Sequence, residues 1–309
     1  MNAMTPDGAP LPPLKGRVEA NATLGPLTWF RVGGAAEYLV KPASAADLAQ
    51  FLRALPEDVQ VTVIGAASNL IIRDGGITGV VIRLARGFSG VTVEADGIVC
   101  GAAALDATVA EHAAAAGLGG LEFLCGIPGS IGGAVAMNAG AYGSDMAACL
   151  DWAEVVTRAG EQLRLPVGDL HLSYRHSKLP PGAVVTRARL RAAPADARLI
   201  ATRMAEIRES RSATQPVRAR TGGSTFANPS GMKAWELIDG AGCRGLTRGG
   251  AQVSELHCNF LLNTGAATAA DLEGLGEEVR RRVLAATGVT LDWEIKRIGQ
   301  PLPRAEVVA

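Results

Sequence analysis

The chain has 309 residues, 48% of them hydrophobic, which is enough for a large buried core and for two or three domains. Its 30 Lys+Arg balance 30 Asp+Glu and only 4% of residues are aromatic, so neither the electrostatic footprint of a nucleic-acid or membrane binder nor a stacking platform for single strands is present. Five widely spaced cysteines without a Cys-x-x-Cys pair, and four histidines without metal-ligand spacing, argue against a disulfide framework or a metal site and for reduced thiols in a cytoplasmic protein.

In chain order, Met1 to Pro13 has no apolar core of a signal peptide and reads, with the residues up to 17, as a disordered leader. Ser44-x-x-Asp47 is the pattern of a capping box and predicts a helix over Ala45 to Leu55. Val59, Val61 and Val63 alternate as a strand, Leu70 to Ile72 are extended, Asp74-Gly75-Gly76 is a turn, and Gly79 to Leu84 is another strand. Val91 to Glu94 and Ile98 to Cys100 predict a hairpin around Asp96-Gly97. Asp106 is expected to cap a helix that ends at Gly117. Strands follow near Trp152 to Thr157 and Val184 to Leu190, and an amphipathic helix over Ala197 to Ser210. Thr268-x-x-Asp271 is a second capping box, with a helix running to Gly288. Leu291, Trp293 and Ile295 alternate with Asp292, Glu294 and Lys296, which predicts a final strand with Glu294 on its polar face. The strands are too many for a regular alternation of strand and helix, so the fold class is α+β with several small mixed sheets. No apolar run is long enough to span a bilayer.

Three loops carry the chemistry. Gly65, Ala66, Ala67, Ser68 and Asn69 join two strand-like runs, and small residues there suit either a surface turn or a nest of backbone N–H groups for an anion. Gly126-Ile127-Pro128-Gly129-Ser130-Ile131-Gly132-Gly133 runs on to Asn138-Ala139-Gly140 and Tyr142. So many small residues among apolar ones suit either a tightly packed turn or backbone lying against a large flat ligand. The dinucleotide fingerprint of the Rossmann fold is absent, because the glycine spacing differs and no acidic residue follows at the right distance. Thr221-Gly222-Gly223-Ser224 presents a serine after two glycines but is no nucleophile elbow. Two glycine-rich loops, each in its own apolar context, favour a cofactor.

At these residues the chain resembles the UDP-N-acetylenolpyruvoylglucosamine reductase family. Matching blocks occur in order: Thr28 to Gly34, Gly65 to Leu70, Gly120 to Gly129, Met137 to Gly143, Tyr174-Arg175-His176-Ser177, Thr221 to Pro229, Ala234 to Asp239, Gly249 to Ser254 and Trp293-Glu294-Ile295-Lys296. The resemblance implies an FAD-binding region of the vanillyl-alcohol-oxidase type in two subdomains, residues 18–86 and 87–215, then an α+β substrate domain, 216–300, and a loose tail, 301–309. It implies FAD as cofactor, NADPH as co-substrate and a sugar nucleotide, UDP-N-acetylglucosamine enolpyruvate, as substrate, reduced to UDP-N-acetylmuramate for peptidoglycan. No nucleic acid or membrane insertion is expected. Arg175, Ser224 and Glu294 match the family's catalytic residues, Ser224 as proton donor. Asn228, Tyr174 and Tyr142 match positions near the substrate, and the short interval from Arg175 to Ser224 matches the subtype without a tyrosine-bearing loop. Two departures stand out. Ala67 replaces a glycine of the flavin loop, where a methyl is tolerated at negative φ. Ala227 replaces a lysine, which leaves Lys178, Arg220 or Lys233 for the diphosphate. The rival readings are an FAD oxidase of the same fold and a non-catalytic binder of flavin or sugar nucleotide.

Overall fold

A computed structural model of the chain describes residues 11–303; residues 1–10 of the expected leader and 304–309 of the expected tail lie outside the described residues. In chain order the main elements are β1 (Arg17–Thr23), β2 (Ala35–Lys41), α1 (Ala45–Ala54), β3 (Val61–Ile64), β4 (Leu70–Ile72), β5 (Ile77–Arg83), β6 (Val91–Glu94), β7 (Gly97–Gly101), α2 (Asp106–Ala115) and α3 (Ile131–Met137). Then come β8 (Leu150–Val156), β9 (Gln162–Pro166), β10 (Val184–Arg191), α4 (Ala197–Thr214), α5 (Ala234–Gly240), β11 (Ala251–Val253), β12 (Leu261–Asn263), α6 (Ala269–Thr287) and β13 (Lys296–Ile298). The fold is α+β. Among the described residues its contacts divide it into two units, each assembled from separated segments: residues 11–20, 38–66 and 79–211 in the first, and 21–37, 67–78 and 212–303 in the second.

The first unit has two cores. A sheet in the order β9-β8-β10-β7-β6 is antiparallel throughout, and its edge hairpin forms as the sequence predicts, with the turn at Ala95-Asp96, one residue ahead of the expected Asp96-Gly97. Its apolar face packs with α2, α3 and α4 around Ile98, Val109, Leu124, Ile131, Leu150 and Leu190, all fully buried or nearly so. Each such aliphatic side chain removed from water contributes roughly 1.5–3 kcal/mol. The second core lies between α1 and the parallel pair β3–β5, where Leu48, Phe51 and Leu52 meet Val80 and Ile82.

The cap of α1 shows how local signals and tertiary demands combine. Ser44 accepts from Asp47 N–H at 3.2 Å, as the sequence predicts. Asp47 does not complete the box. It is buried, and its carboxylate accepts from the backbone N–H groups of Ala43 (2.8 Å), Lys15 (2.8 Å) and Gly16 (3.1 Å). Leu11 and Leu14 pack on the same core, so residues 11–16 are held in place rather than loose.

In the second unit α5 and α6 cover a small antiparallel sheet in which Thr247–Arg248, β11 and β12 pair in sequence, around Phe30, Ile71, Phe226, Leu272, Leu275 and Val279. Thr268 and Asp271 form the full reciprocal capping box of α6, and Asp74 accepts from the next two free N–H groups, those of Ala269 and Ala270. The predicted final strand is displaced. Pairing begins at Lys296, where β13 runs parallel to β4, while the stretch from Leu291 to Ile295 makes only a bridge from Trp293 to Phe226. The alternation there is real, with Leu291 and Ile295 buried, but the neighbour is a loop and not a sheet.

Candidate functional site

In the first unit the two glycine-rich loops meet. Gly65, Ala66, Ser130, Gly132 and Gly133 line one cleft of about 220 Å³, with Leu105 and Ala136 beside them. The glycines have separate reasons. A Cβ on Gly132 would stand 2.9 Å from the Ala102 side chain and 3.2 Å from its carbonyl, so that position needs the bare backbone, whereas one on Gly65 would stand 2.8 Å from Ser130 Oγ, which can rotate aside. At Gly133 the nearest atom would be 3.9 Å away, so a side chain there finds room. The backbone N–H groups of Ile131 and Gly132 are spent on the carbonyls of Ala104 (3.0 Å) and Ala102 (2.9 Å), and that of Gly129 on Ile127 (3.0 Å). This loop therefore serves by close approach and shape rather than as an open nest of amides. A concave wall of glycine, alanine and serine that added Cβ atoms would clash with or obstruct fits a flat dinucleotide such as FAD.

Other residues of the second loop do something else. Gly126 lies against the Tyr142 ring, and Ile127 packs on the core. Asn138, Ala139 and Gly140 are not among the cleft-lining residues. Asn138 is buried in the left-handed region (φ 43°), where it ends α3. Its amide donates to the Ser173 carbonyl at 2.9 Å, and its side-chain oxygen accepts from Ala147 N–H at 2.9 Å. Gly140 pairs with Asp145 in a two-residue ladder.

Ser173 opens the turn that carries Tyr174 and Arg175. Ser173 and His176 exchange both backbone hydrogen bonds at 3.0 Å, which leaves Tyr174 and Arg175 at the tip, Arg175 with φ of 55°. The guanidinium lies 5.0 Å from the Tyr174 ring centroid. Ser177 closes the other side by donating to the Ala136 carbonyl at 2.9 Å. Both ends of the Arg175 turn are thus tied to the C-terminal end of α3, the helix that walls the cleft. Tyr142, also at positive φ (53°), buries its hydroxyl with no partner and lies near Arg211; burial pushes its hydroxyl pKa up, against the pull of that cation.

In the second unit Gly222 packs against the Phe30 ring and Gly223 takes φ of 80°, so two glycines are what bring the chain to Ser224. Behind Ser224 the buried Thr225 accepts at its carbonyl from Glu294 N–H (2.9 Å) and Ile295 N–H (3.3 Å). Ser224 and Glu294 therefore stand on adjoining backbones. Asn69 joins them: its amide donates to the Glu294 carbonyl at 3.1 Å, and its own carbonyl accepts from Lys296 N–H at 3.0 Å. Asn259, which no motif singled out, is buried and clamps the serine loop by exchanging hydrogen bonds with both backbone groups of Phe226, at 3.0 and 2.9 Å. Only its burial could have revealed it. Asn228 is exposed and accepts from Ala234 N–H at the start of α5. Ala67 departs from what the sequence allows: its φ is 52°, not negative, so this residue pays the left-handed penalty that a glycine avoids. Ser68 is half-buried. Among the described residues no cluster of three or more His, Cys, Asp or Glu is placed to hold a metal.

Comparison with known proteins agrees with this arrangement. Residues 36–166 match the FAD binding domain, and residues 215–298 match the C-terminal domain of UDP-N-acetylenolpyruvoylglucosamine reductase. Curated relatives of that name include one from Acidiphilium cryptum, 67% identical over 95% of both chains. Another, from Granulibacter bethesdensis, is 65% identical over 95% of this chain and 94% of the relative. The crystal structure of UDP-N-acetylenolpyruvylglucosamine reductase from Thermus caldophilus superposes with a TM-score of 0.81 at 37% identity, covering 92% of this chain and 100% of that one. With an FAD-binding domain ahead of the family's C-terminal domain, and such identity over nearly its full length, this chain belongs to the UDP-N-acetylenolpyruvoylglucosamine reductase family of FAD-dependent oxidoreductases.

Proposed function

We propose that Arg175, Ser224 and Glu294 carry the reaction of this family in the chain: NADPH-dependent, FAD-mediated reduction of UDP-N-acetylglucosamine enolpyruvate to UDP-N-acetylmuramate, a cytoplasmic step of peptidoglycan synthesis. Residues 18–86 and 87–215 hold FAD in a region of the vanillyl-alcohol-oxidase type, chiefly through the glycine-lined cleft. Residues 216–300 take the sugar nucleotide. Bound FAD supplies hydride transfer, from NADPH to the methylene carbon of the enolpyruvyl group.

The chain's own residues manage the charge and the proton. Negative charge develops on the carbon beside the carboxylate and spreads into that carboxylate. Arg175 offers a planar, always charged fork to it, presented at the tip of a doubly tethered turn. Ser224 gives its proton to the carbon. A serine hydroxyl is a weak acid, and it suffices because the carbanion-like centre is far more basic. Glu294 in its protonated form hydrogen-bonds the substrate carboxylate, or else it orients Arg175 or a water. The observation that supports this assignment is the Glu294 N–H to Thr225 carbonyl hydrogen bond of 2.9 Å, which pairs the backbone of Glu294 with that of the residue next to Ser224. Tyr174 and Asn228 serve the substrate, and Lys178, Arg220 or Lys233 the diphosphate in place of the lysine absent at Ala227.

The test is anaerobic. NADPH bleaches the flavin of the purified chain without sugar nucleotide, and UDP-N-acetylglucosamine enolpyruvate restores its colour. Rapid reoxidation by dioxygen with no response to the enolpyruvyl compound would establish the oxidase reading instead.

A further inference from the structure

Asp106 is a buried carboxyl that these roles leave unused. The sequence predicts it as the cap of α2. The structure makes Leu105 the cap and Asp106 the first helical residue, fully buried. Neither of its carboxylate oxygens has a hydrogen-bond partner in the chain, and a polar group buried without a partner is costly. Its surroundings belong to the cofactor loop. Asp106 N–H donates to the Gly129 carbonyl at 3.3 Å, Leu105 bridges to Ser130, and a Cβ on Gly129 would stand 2.5 Å from Asp106 Oδ2. Leu105 and Ser130, the chain neighbours of Asp106 and Gly129, both line the cleft. Burial pushes the carboxyl pKa up to about 8. The neighbouring Cys100 thiol is also buried and is pushed upward, first by burial and then by Asp106 and Cys149, against the weaker pull of Arg187.

We propose that Asp106 is a positioning residue of the FAD site: its carboxyl takes a hydrogen bond that only the filled cleft supplies, and so ties the Gly126–Gly133 loop to the bound dinucleotide. The donor or acceptor is a polar group of the dinucleotide or a water fixed by it. The proposal rests on the cleft being the FAD site, but it asks for more than FAD binding. It asks that the cost of the partnerless carboxyl be recovered on binding.

The test compares wild type, Asp106→Asn and Asp106→Ala after removal of FAD. It uses flavin fluorescence titration, melting with and without FAD, and FAD-minus-apo infrared difference spectra. Asp106→Asn keeps a hydrogen-bonding group and binds FAD within about 3-fold of wild type. Asp106→Ala binds it at least about 10-fold more weakly, the scale of one lost buried hydrogen bond, while its apo form melts no lower than wild type. The carboxyl band of wild type, absent from Asp106→Asn, shifts when FAD binds. An Asp106→Ala protein with wild-type FAD affinity, equal losses in both variants, or a carboxyl band that FAD leaves unmoved would each overturn the proposal. If Asp106→Ala does not refold, the infrared band decides alone. A wild-type chain that takes up no FAD would overturn the reading of the cleft as well.

Discussion

The side-chain amide of Asn138 donates to the carbonyl of Ser173 at 2.9 Å, across 35 positions of sequence. This bond ties the end of α3 to the turn that presents Arg175. Removing it is expected to loosen the arginine while sparing the cleft. Asn138→Gly keeps the left-handed conformation and deletes the clamp, together with the bond that the same side chain accepts from Ala147 N–H. Displacement of a positioning group by an ångström costs up to about 10²-fold in rate. Stopped-flow absorbance should show flavin reoxidation by the enolpyruvyl substrate slowed by roughly 10- to 100-fold, with NADPH reduction unchanged. Equal slowing of both halves would mean that the flavin itself had moved.

Ser224→Ala should leave reduction by NADPH nearly intact, because that half-reaction needs no proton from the serine. Reoxidation by the enolpyruvyl substrate should fall by about 10²- to 10⁴-fold, the usual worth of a general acid. Ser224→Cys should recover part of the loss, since a thiol is a stronger acid of similar shape. Normal reoxidation in Ser224→Ala would assign the proton to another group.

Ala67 lies at φ of 52°, where an L-residue with a Cβ is disfavoured by about 1–2 kcal/mol. Ala67→Gly should relieve that strain, offset in part by the added freedom of glycine in the unfolded chain. The expected net gain is about 1 kcal/mol in urea unfolding. An unchanged or lowered midpoint would show that the methyl's packing, at 4% exposure, outweighs its strain.

Gly133 and Gly132 both line the cleft, but only Gly132 is crowded from behind. Gly133→Leu should therefore fold, with apo melting close to wild type, and fail to retain FAD. Gly132→Leu should instead destabilise the first unit, through collision with Ala102. Circular dichroism melting and the flavin absorbance of the purified proteins separate the two. FAD bound normally by Gly133→Leu would place the dinucleotide elsewhere.

Stability of the apo chain should carry the mark of Asp106. Its folded value is about 8 against the ordinary 3.8, so between these pH values the folded chain keeps a proton that the unfolded chain has released. The contribution is complete below about pH 4 and is lost as pH rises to about 8. Urea unfolding at pH 5 and pH 8 should show wild type losing more stability than Asp106→Asn over that interval, because other groups cancel in the comparison. A parallel pH dependence would mean that the carboxyl is ionised throughout.

Much was legible because its causes are local. Ser44 and Thr268 cap their helices by bonds that span three residues, and the hairpin between β6 and β7 needs only its own turn chemistry at Ala95-Asp96. The glycine-rich loops announced themselves because close backbone approach excludes side chains, as Ala102 does at Gly132 and the Tyr142 ring at Gly126. The matching blocks around Arg175, Ser224 and Glu294 supplied the family. Failures fall where a residue's partner is distant in sequence. Asp47 was expected to close its own helix cap and instead gathers Lys15 and Gly16. Leu291 to Ile295 alternate like a strand, yet their neighbour is the Thr225–Phe226 loop and not a sheet edge.

The amino-acid sequence by itself determined the α+β class, the helix caps, the glycine loops and the reductase family. Only the tertiary structure decided that Gly65 meets Ser130, that Asn138 and Ser177 hold the Arg175 turn, that Asn259 clamps the serine loop, and that Asp106 is buried without a partner. The reason is physical. A cap or a tight turn is set by hydrogen bonds within a few residues, and its signature is short enough to read. Burial and long-range hydrogen bonds depend on which segments the packed core brings together, so an aspartate that reads as a helix cap becomes, one position further into the helix and against Gly129, an interior carboxyl.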